Sequence, residues 1–95
     1  MAGYVIATVT VKDPERYERY KALVAPSVAA YGGRYLVRGG ETQSVEGGWN
    51  PSRVVVLEFE SAQRAKAWWD SEEYAEAKAL RHATADSQMV IVSGI

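Results

Sequence analysis

Two glycine pairs, Gly32-Gly33 and Gly39-Gly40, bracket the five residues Arg34-Tyr35-Leu36-Val37-Arg38. A segment this short between two turn formers has no room for a stable helix. Its aromatic and β-branched residues suit a pleated backbone, so it reads as a strand. A second glycine-rich stretch follows, Val45-Glu46-Gly47-Gly48-Trp49-Asn50-Pro51, and then the apolar run of Arg53-Val54-Val55-Val56-Leu57-Glu58-Phe59. The two runs predict a hairpin with arginines at its ends and a lone tryptophan in its connection. After a bulge or bend at Gly39-Gly40 the first of these strands can resume at Thr42–Val45.

The flanks supply the other elements. Tyr4 to Val11 is rich in β-branched residues and predicts a first strand. Asp13-Pro14-Glu15 is a helix start: the Asp carboxylate caps free N–H groups, Pro is preset for the first helical position, and Glu suits the positive end of the dipole. Tyr17, Tyr20, Val24, Val28 and Tyr31 recur at steps of three or four and share one face. Pro26 predicts a kink or short break in this helix, and Gly32 ends it. Ser61 caps a second helix containing Ala62, Ala65, Trp68 and Trp69. Asp70-Ser71 breaks or bends it, and Ser71-Glu72-Glu73 restarts a helix to about Ala83 with Tyr74, Ala77 and Arg81 in one row. Gln88 to Ser93 is the last strand.

The order β-α-β-β-α-β predicts an α+β, ferredoxin-like fold with a four-stranded antiparallel sheet and its helices on one face. Residues 1–95 form a single domain of modest core. Val54 to Leu57 is apolar on both strand faces, and the chain's own helices can cover only one of them. A homodimer burying the helix-free face is therefore expected.

Composition excludes several function classes. A net charge of -1 argues against a dedicated nucleic-acid binder, which normally shows a basic face. The absence of cysteine excludes disulfides, thiolate nucleophiles and zinc–thiolate sites. No stretch suits a membrane span, and Met1-Ala2-Gly3-Tyr4 lacks the basic start of a secretory signal, so a cytoplasmic location is expected. Phosphate loops and dinucleotide fingerprints are missing. One histidine without cysteine is a poor ligand set, so neither a metal nor another cofactor is expected.

Candidate chemistry rests on arginines and aromatics. Arg38 and Arg53 sit at strand ends beside glycine-rich turns, where a small carboxylate can be held by two guanidinium groups. Arg34 and Arg81 are further candidates. The alternative for each is a solvated head group or an ion pair with Glu41, Glu46 or Glu58. Tyr17, Tyr20, Trp49, Trp68, Trp69 and Tyr74 can line a cleft for a flat or apolar molecule; the alternative is that Tyr17, Tyr20 and one tryptophan simply fill a small core. Trp49 lies in a turn and so lids a cleft or packs at a dimer contact. His82 is the only side chain whose ordinary pKa lies near neutrality and is the weak catalytic candidate. Its alternative is a helix C-terminal residue favoured by the dipole.

Taken in order, Asp13-Pro14-Glu15-x-Tyr17-x-x-Tyr20, Gly32-Gly33-Arg34-Tyr35, Arg38-Gly39-Gly40, Glu46-Gly47 with Trp49, Arg53 to Phe59, Trp69-x-Ser71-x-x-Tyr74, Arg81 and Gly94 resemble domain-of-unknown-function family 1330 of the dimeric α/β-barrel superfamily. The resemblance covers nearly the whole chain. It implies a dimer whose two sheets form a barrel, and it brings no reaction and no catalytic residues. Wider relatives include cofactor-free oxygenases, lactone isomerases, haem-degrading enzymes and ligand-sensing domains, which use a cleft between helices and sheet. Two functions are thus open: a cofactor-free enzyme acting on a small acidic or oxygenated molecule, with Arg38 and Arg53 as anchors, or a dimeric ligand-binding or interaction module without turnover.

Overall fold

The computed structural model describes residues 1–95. Its elements are β1 (Gly3–Val11), α1 (Pro14–Ala30), β2 (Arg34–Arg38), β3 (Val54–Phe59), α2 (Ala62–Trp69), α3 (Glu72–Thr84) and β4 (Ala85–Ser93). The sheet order is β2-β3-β1-β4 with every neighbouring pair antiparallel. This is the expected ferredoxin-like arrangement, with the second helical region split into two helices. No helix is long and apolar enough to cross a membrane.

Each helix begins where a capping side chain stands. The Asp13 carboxylate accepts from Arg16 N, Ser61 Oγ from Arg64 N and Ser71 Oγ from Tyr74 N, each satisfying an N–H that the helix itself leaves free. Ser71 Oγ also donates to Trp68 O at 2.7 Å, so one hydroxyl closes α2 and opens α3.

The core lies between the helices and one sheet face. Val5, Ala7 and Val9 of β1 and Leu57 and Phe59 of β3 meet Tyr17, Tyr20, Val24 and Val28 of α1, Ala65 and Trp68 of α2, and Tyr74 and Ala77 of α3. Trp68 stacks on Tyr74 with ring centroids 4.1 Å apart, and its indole N–H donates to Ser27 Oγ at 3.0 Å. The aromatic body is thus buried and its one polar group paired. On the opposite sheet face Ile6, Val37, Val90 and Val92 are exposed, an apolar surface that the chain does not cover.

Four sequence expectations need correction. Of the kink or short break expected at Pro26, the break does not form: α1 is continuous from Pro14 to Ala30, because the buried row Tyr17–Val28 is anchored on both sides of it and packing outweighs one lost hydrogen bond. β2 does not resume at Thr42–Val45: residues 40–45 carry no strand, and no neighbouring strand is there to pair with them. β4 begins at Ala85 rather than Gln88, because Val11, Thr10 and Val9 extend β1 alongside it. The bulge of β2 lies at Leu36 rather than at Gly39-Gly40: Tyr35 pairs with Leu57 and Val37 with Val56, leaving Leu36 as the extra residue.

Candidate functional site

The bulge decides which arginine faces the helices. In a regular strand Tyr35 and Arg38, three residues apart, point to opposite faces. With Leu36 inserted, Tyr35 opposes Leu57 and Arg38 opposes Val55, both on the core face of β3. The Arg38 guanidinium lies 4.4 Å from the centroid of the Tyr35 ring. Arg34 keeps the other face and pairs with Glu58, Nε to Oε1 at 2.6 Å, so it is a surface ion-pair partner.

Arg53 precedes β3 and shares the parity of Val55 and Leu57. Its carbonyl accepts from Val9 N at 2.9 Å, which fixes the backbone against β1. The guanidinium lies 5.7 Å from the Tyr17 ring centroid, and Nε is buried without a hydrogen-bond partner. Gly39 makes this placement possible. It has φ +73 and its N–H donates to Val54 O, and a Cβ there would collide with the Arg53 guanidinium.

Arg81 reaches the same space from α3 and is 3% exposed. Nε donates to Tyr74 Oη at 3.1 Å and Nη1 to Ser87 Oγ. Tyr74 Oη lies 3.3 Å from Tyr20 Oη, completing a chain from guanidinium to phenol to phenol. None of the ion pairs of the chain includes Arg38, Arg53 or Arg81. Of the three, Arg81 is buried, Arg53 half-buried and Arg38 exposed. The buried charge of Arg81 without a counter-charge is costly and marks a place where an anion would be favoured.

These groups surround a cavity of about 30 Å³ between helices and sheet. Its fifteen lining residues include Tyr20, Lys21, Arg38, Arg53 and Arg81 and no Asp or Glu. Burial, with Tyr74 alongside, pushes the Tyr20 phenol far above its ordinary range. Burial also raises Tyr35, against the opposing pull of Arg38. Both phenols stay protonated and can donate a hydrogen bond but not act as bases.

Outside this cavity lies an open groove of about 970 Å³ along β4, bounded by Lys66 and Trp69 of α2, Arg81 and His82 of α3 and Ser87, Met89 and Ile91 of β4. Lys78 Nζ sits 3.8 Å and Lys66 Nζ 5.1 Å from the Trp69 ring centroid. The His82 pKa is lowered by loss of solvation, with the Arg81 and Lys78 charges acting the same way.

The structure therefore brings together Tyr20, Arg38, Arg53 and Arg81, with Tyr74 behind them as the hydrogen-bond partner of two. Trp69 and His82 stand in the groove. Trp49 is on neither wall: it is 65% exposed and borders Thr8, Thr10, Asp86 and Gln88, towards the helix-free face. Sequence reasoning missed Tyr35, which the alternation of β2 alone would have placed opposite Arg38. It also missed Ser87, which lies just before the expected start of β4. No group of three or more His, Cys, Asp or Glu is arranged to hold a metal ion.

A family model described as "Domain of unknown function (DUF1330)" matches residues 2–95, and the chain belongs to that family. Comparison with curated proteins gives no match. Among solved structures, the chain is similar to a protein of unknown function from Rhodopseudomonas palustris, with TM-score 0.80 and 18% identity over 99% of this chain and 82% of that one. A dimeric ferredoxin-like protein of unknown function from Thermobifida fusca gives TM-score 0.68 and 19% identity over 99% and 92%. SnoaB, a cofactor-independent oxygenase from Streptomyces nogalater, gives TM-score 0.56 and 11% identity over 99% and 93%. At such identities the likeness is one of fold.

Proposed function

We propose that this DUF1330 chain is a homodimeric, cofactor-free enzyme that acts on a small acidic or oxygenated molecule held in the cleft between helices and sheet. One observation carries the reading: Arg38, Arg53 and Arg81 surround the cavity with no carboxylate opposite any of them. Guanidinium groups, of which Arg81 is buried and Arg53 half-buried, favour a ligand's carboxylate, or an oxyanion that forms during reaction. Tyr20, held as a neutral phenol, would donate a hydrogen bond to the same oxygen. The fold shared with a cofactor-independent oxygenase agrees with this reading as an analogy of fold. The exposed apolar face of Ile6, Val37, Val90 and Val92 is the surface that two copies would bury against each other.

A second reading, ligand binding without turnover, is favoured by a different observation. The titratable phenols of the cavity, Tyr20 and Tyr35, are moved away from neutrality, and His82, the one group lowered towards acid, stands outside in the groove. The deciding experiment is a thermal-shift screen of small carboxylic acids, with mass spectrometry of any molecule that co-purifies. Each hit is then incubated with the protein and followed by mass spectrometry. Conversion supports the enzyme, an unchanged hit supports the binding module, and the absence of any hit that requires Arg53 removes the cleft as the site.

A further inference from the structure

The inner cavity is far smaller than the groove beside it. About 30 Å³ accommodates one water or the head of a carboxylate, whereas the groove has the volume of a drug-sized ligand site. The two spaces share Arg81 and Met89, each of which lines both. Arg81 is tied to the cavity side through Tyr74 and to the groove side through Ser87. It is therefore part of the partition between them.

We propose that the ligand of this protein is an amphipathic monocarboxylic acid that straddles this partition. Its carboxylate enters the cavity past Arg81 and Met89, and its apolar body stays in the groove against Trp69, Met89 and Ile91. This rests on the anion-binding reading above and adds the shape of the molecule and its way in. Each space carries one part of what such a molecule needs. The cavity, otherwise lined by apolar and aromatic side chains, offers cationic groups and no carboxylate, and the groove offers an aromatic ring and two aliphatic side chains beside its polar residues. The Arg81–Ser87 hydrogen bond is the contact that gives way, because an incoming carboxylate is a stronger acceptor for Nη1 than a hydroxyl. Asp86 and His82 also line the groove, and the Asp86 carboxylate is paired with Lys12, Oδ2 to Nζ at 2.8 Å.

Two measurements test this. The chain has no cysteine, so Val24→Cys on the α1 wall of the cavity supplies a single thiol. Its reaction with the anionic reagent 2-sulfonatoethyl methanethiosulfonate reports access to the cavity with no ligand present. Adding Met89→Trp fills the partition and should slow labelling, whereas adding Ser87→Ala releases Arg81 and should speed it, each by about tenfold. Ser87→Ala carries the measurement alone if the larger side chain prevents folding. Labelling that ignores the partition variants overturns the passage, whatever the ligand is.

The second measurement compares 2-naphthoate with formate by calorimetry on the full chain. Naphthoate is expected to bind about tenfold tighter or more, and Ile91→Asp is expected to erase that advantage while leaving formate binding within about twofold. Trp69→Ala gives the same comparison from a helical position. Naphthoate binding that requires Arg53 but ignores both groove variants overturns the straddling pose and leaves the anion cavity standing. Binding that ignores Arg53→Ala overturns the anion cavity and the pose with it, as does no binding of either acid.

Discussion

Arg38 lies over the ring of Tyr35, 4.4 Å from its centroid, on the same face of β2 although the two stand three positions apart. The single extra residue Leu36 produces this. Deleting Leu36 should remove the bulge and leave Tyr35 and Arg38 as alternate residues of a regular strand, still on the same face. The expected outcome is a carboxylate-induced rise in melting temperature that survives the deletion and is lost in Arg38→Ala, with the circular dichroism of the fold retained in both. A full ligand response in Arg38→Ala would show that Arg38 takes no part.

Arg53 is expected to be a binding residue rather than a stabilising one. Its Nε is buried and unpartnered, so Arg53→Ala removes a group that gains little from the folded state. Ligand-free melting should change little, while carboxylate affinity should fall by about 1.5–3 kcal/mol, the worth of a charged hydrogen bond. The reverse pattern in a melting and titration series, low stability with normal affinity, would make Arg53 structural. Gly39→Ala should cost about 1–2 kcal/mol through its left-handed backbone alone. Arg53→Ala should recover only the part due to the collision with the guanidinium.

Tyr74→Phe keeps the ring stacked on Trp68 and removes the oxygen that receives Arg81 Nε. A buried donor is left without an acceptor, which costs about 1–3 kcal/mol. Urea denaturation should show that loss. Equal stability of the variant and the parent would mean that water or another group replaces the phenol.

The helix-free face predicts the effect of a single charge. Val90→Glu, at an exposed position of β4, should convert a dimer into a folded monomer, read by sedimentation at micromolar concentration. Val56→Glu on the same face of β3 should do the same, with some loss of stability because Val56 is already half-buried in one chain. A parent protein that sediments as a monomer would refute the premise.

His82 sets a pH dependence. Its pKa is lowered in the folded chain, so the unfolded chain binds more protons in the interval between the lowered value and the ordinary value of about 6.5. Stability is therefore complete above that interval and falls as pH drops through it. His82→Gln should flatten this part of the curve of melting temperature against pH. An unchanged slope would assign the acid sensitivity to another group.

The elements of this chain were legible wherever a local rule acts without competition. Asp13-Pro14, Ser61 and Ser71 announce helix starts because a side-chain oxygen next to free N–H groups is a local fact. The buried row Tyr17–Val28 was equally plain from its spacing. The bulge was not, since Leu36 is an ordinary strand residue and its extra place exists only relative to β3. Thr42–Val45 has strand-like residues but no partner strand, and Pro26 is carried by packing on both sides. For the site, Arg38, Arg53, Tyr20 and Arg81 followed from strand ends and helix rows. The lack of carboxylates in the cavity lining is a three-dimensional property, as is the separation of Trp49 from the cavity.

The uncompensated guanidinium of Arg81 has a consequence for the protein's life in a cell. An empty chain holds a buried charge at a cost, and a bound anion lifts that cost in the folded state only, by an amount that grows with its concentration. The fraction of molecules open to proteases would then fall as the anion accumulates and rise as it is depleted. The steady-state amount of this protein would follow the supply of its ligand with no transcriptional control at all.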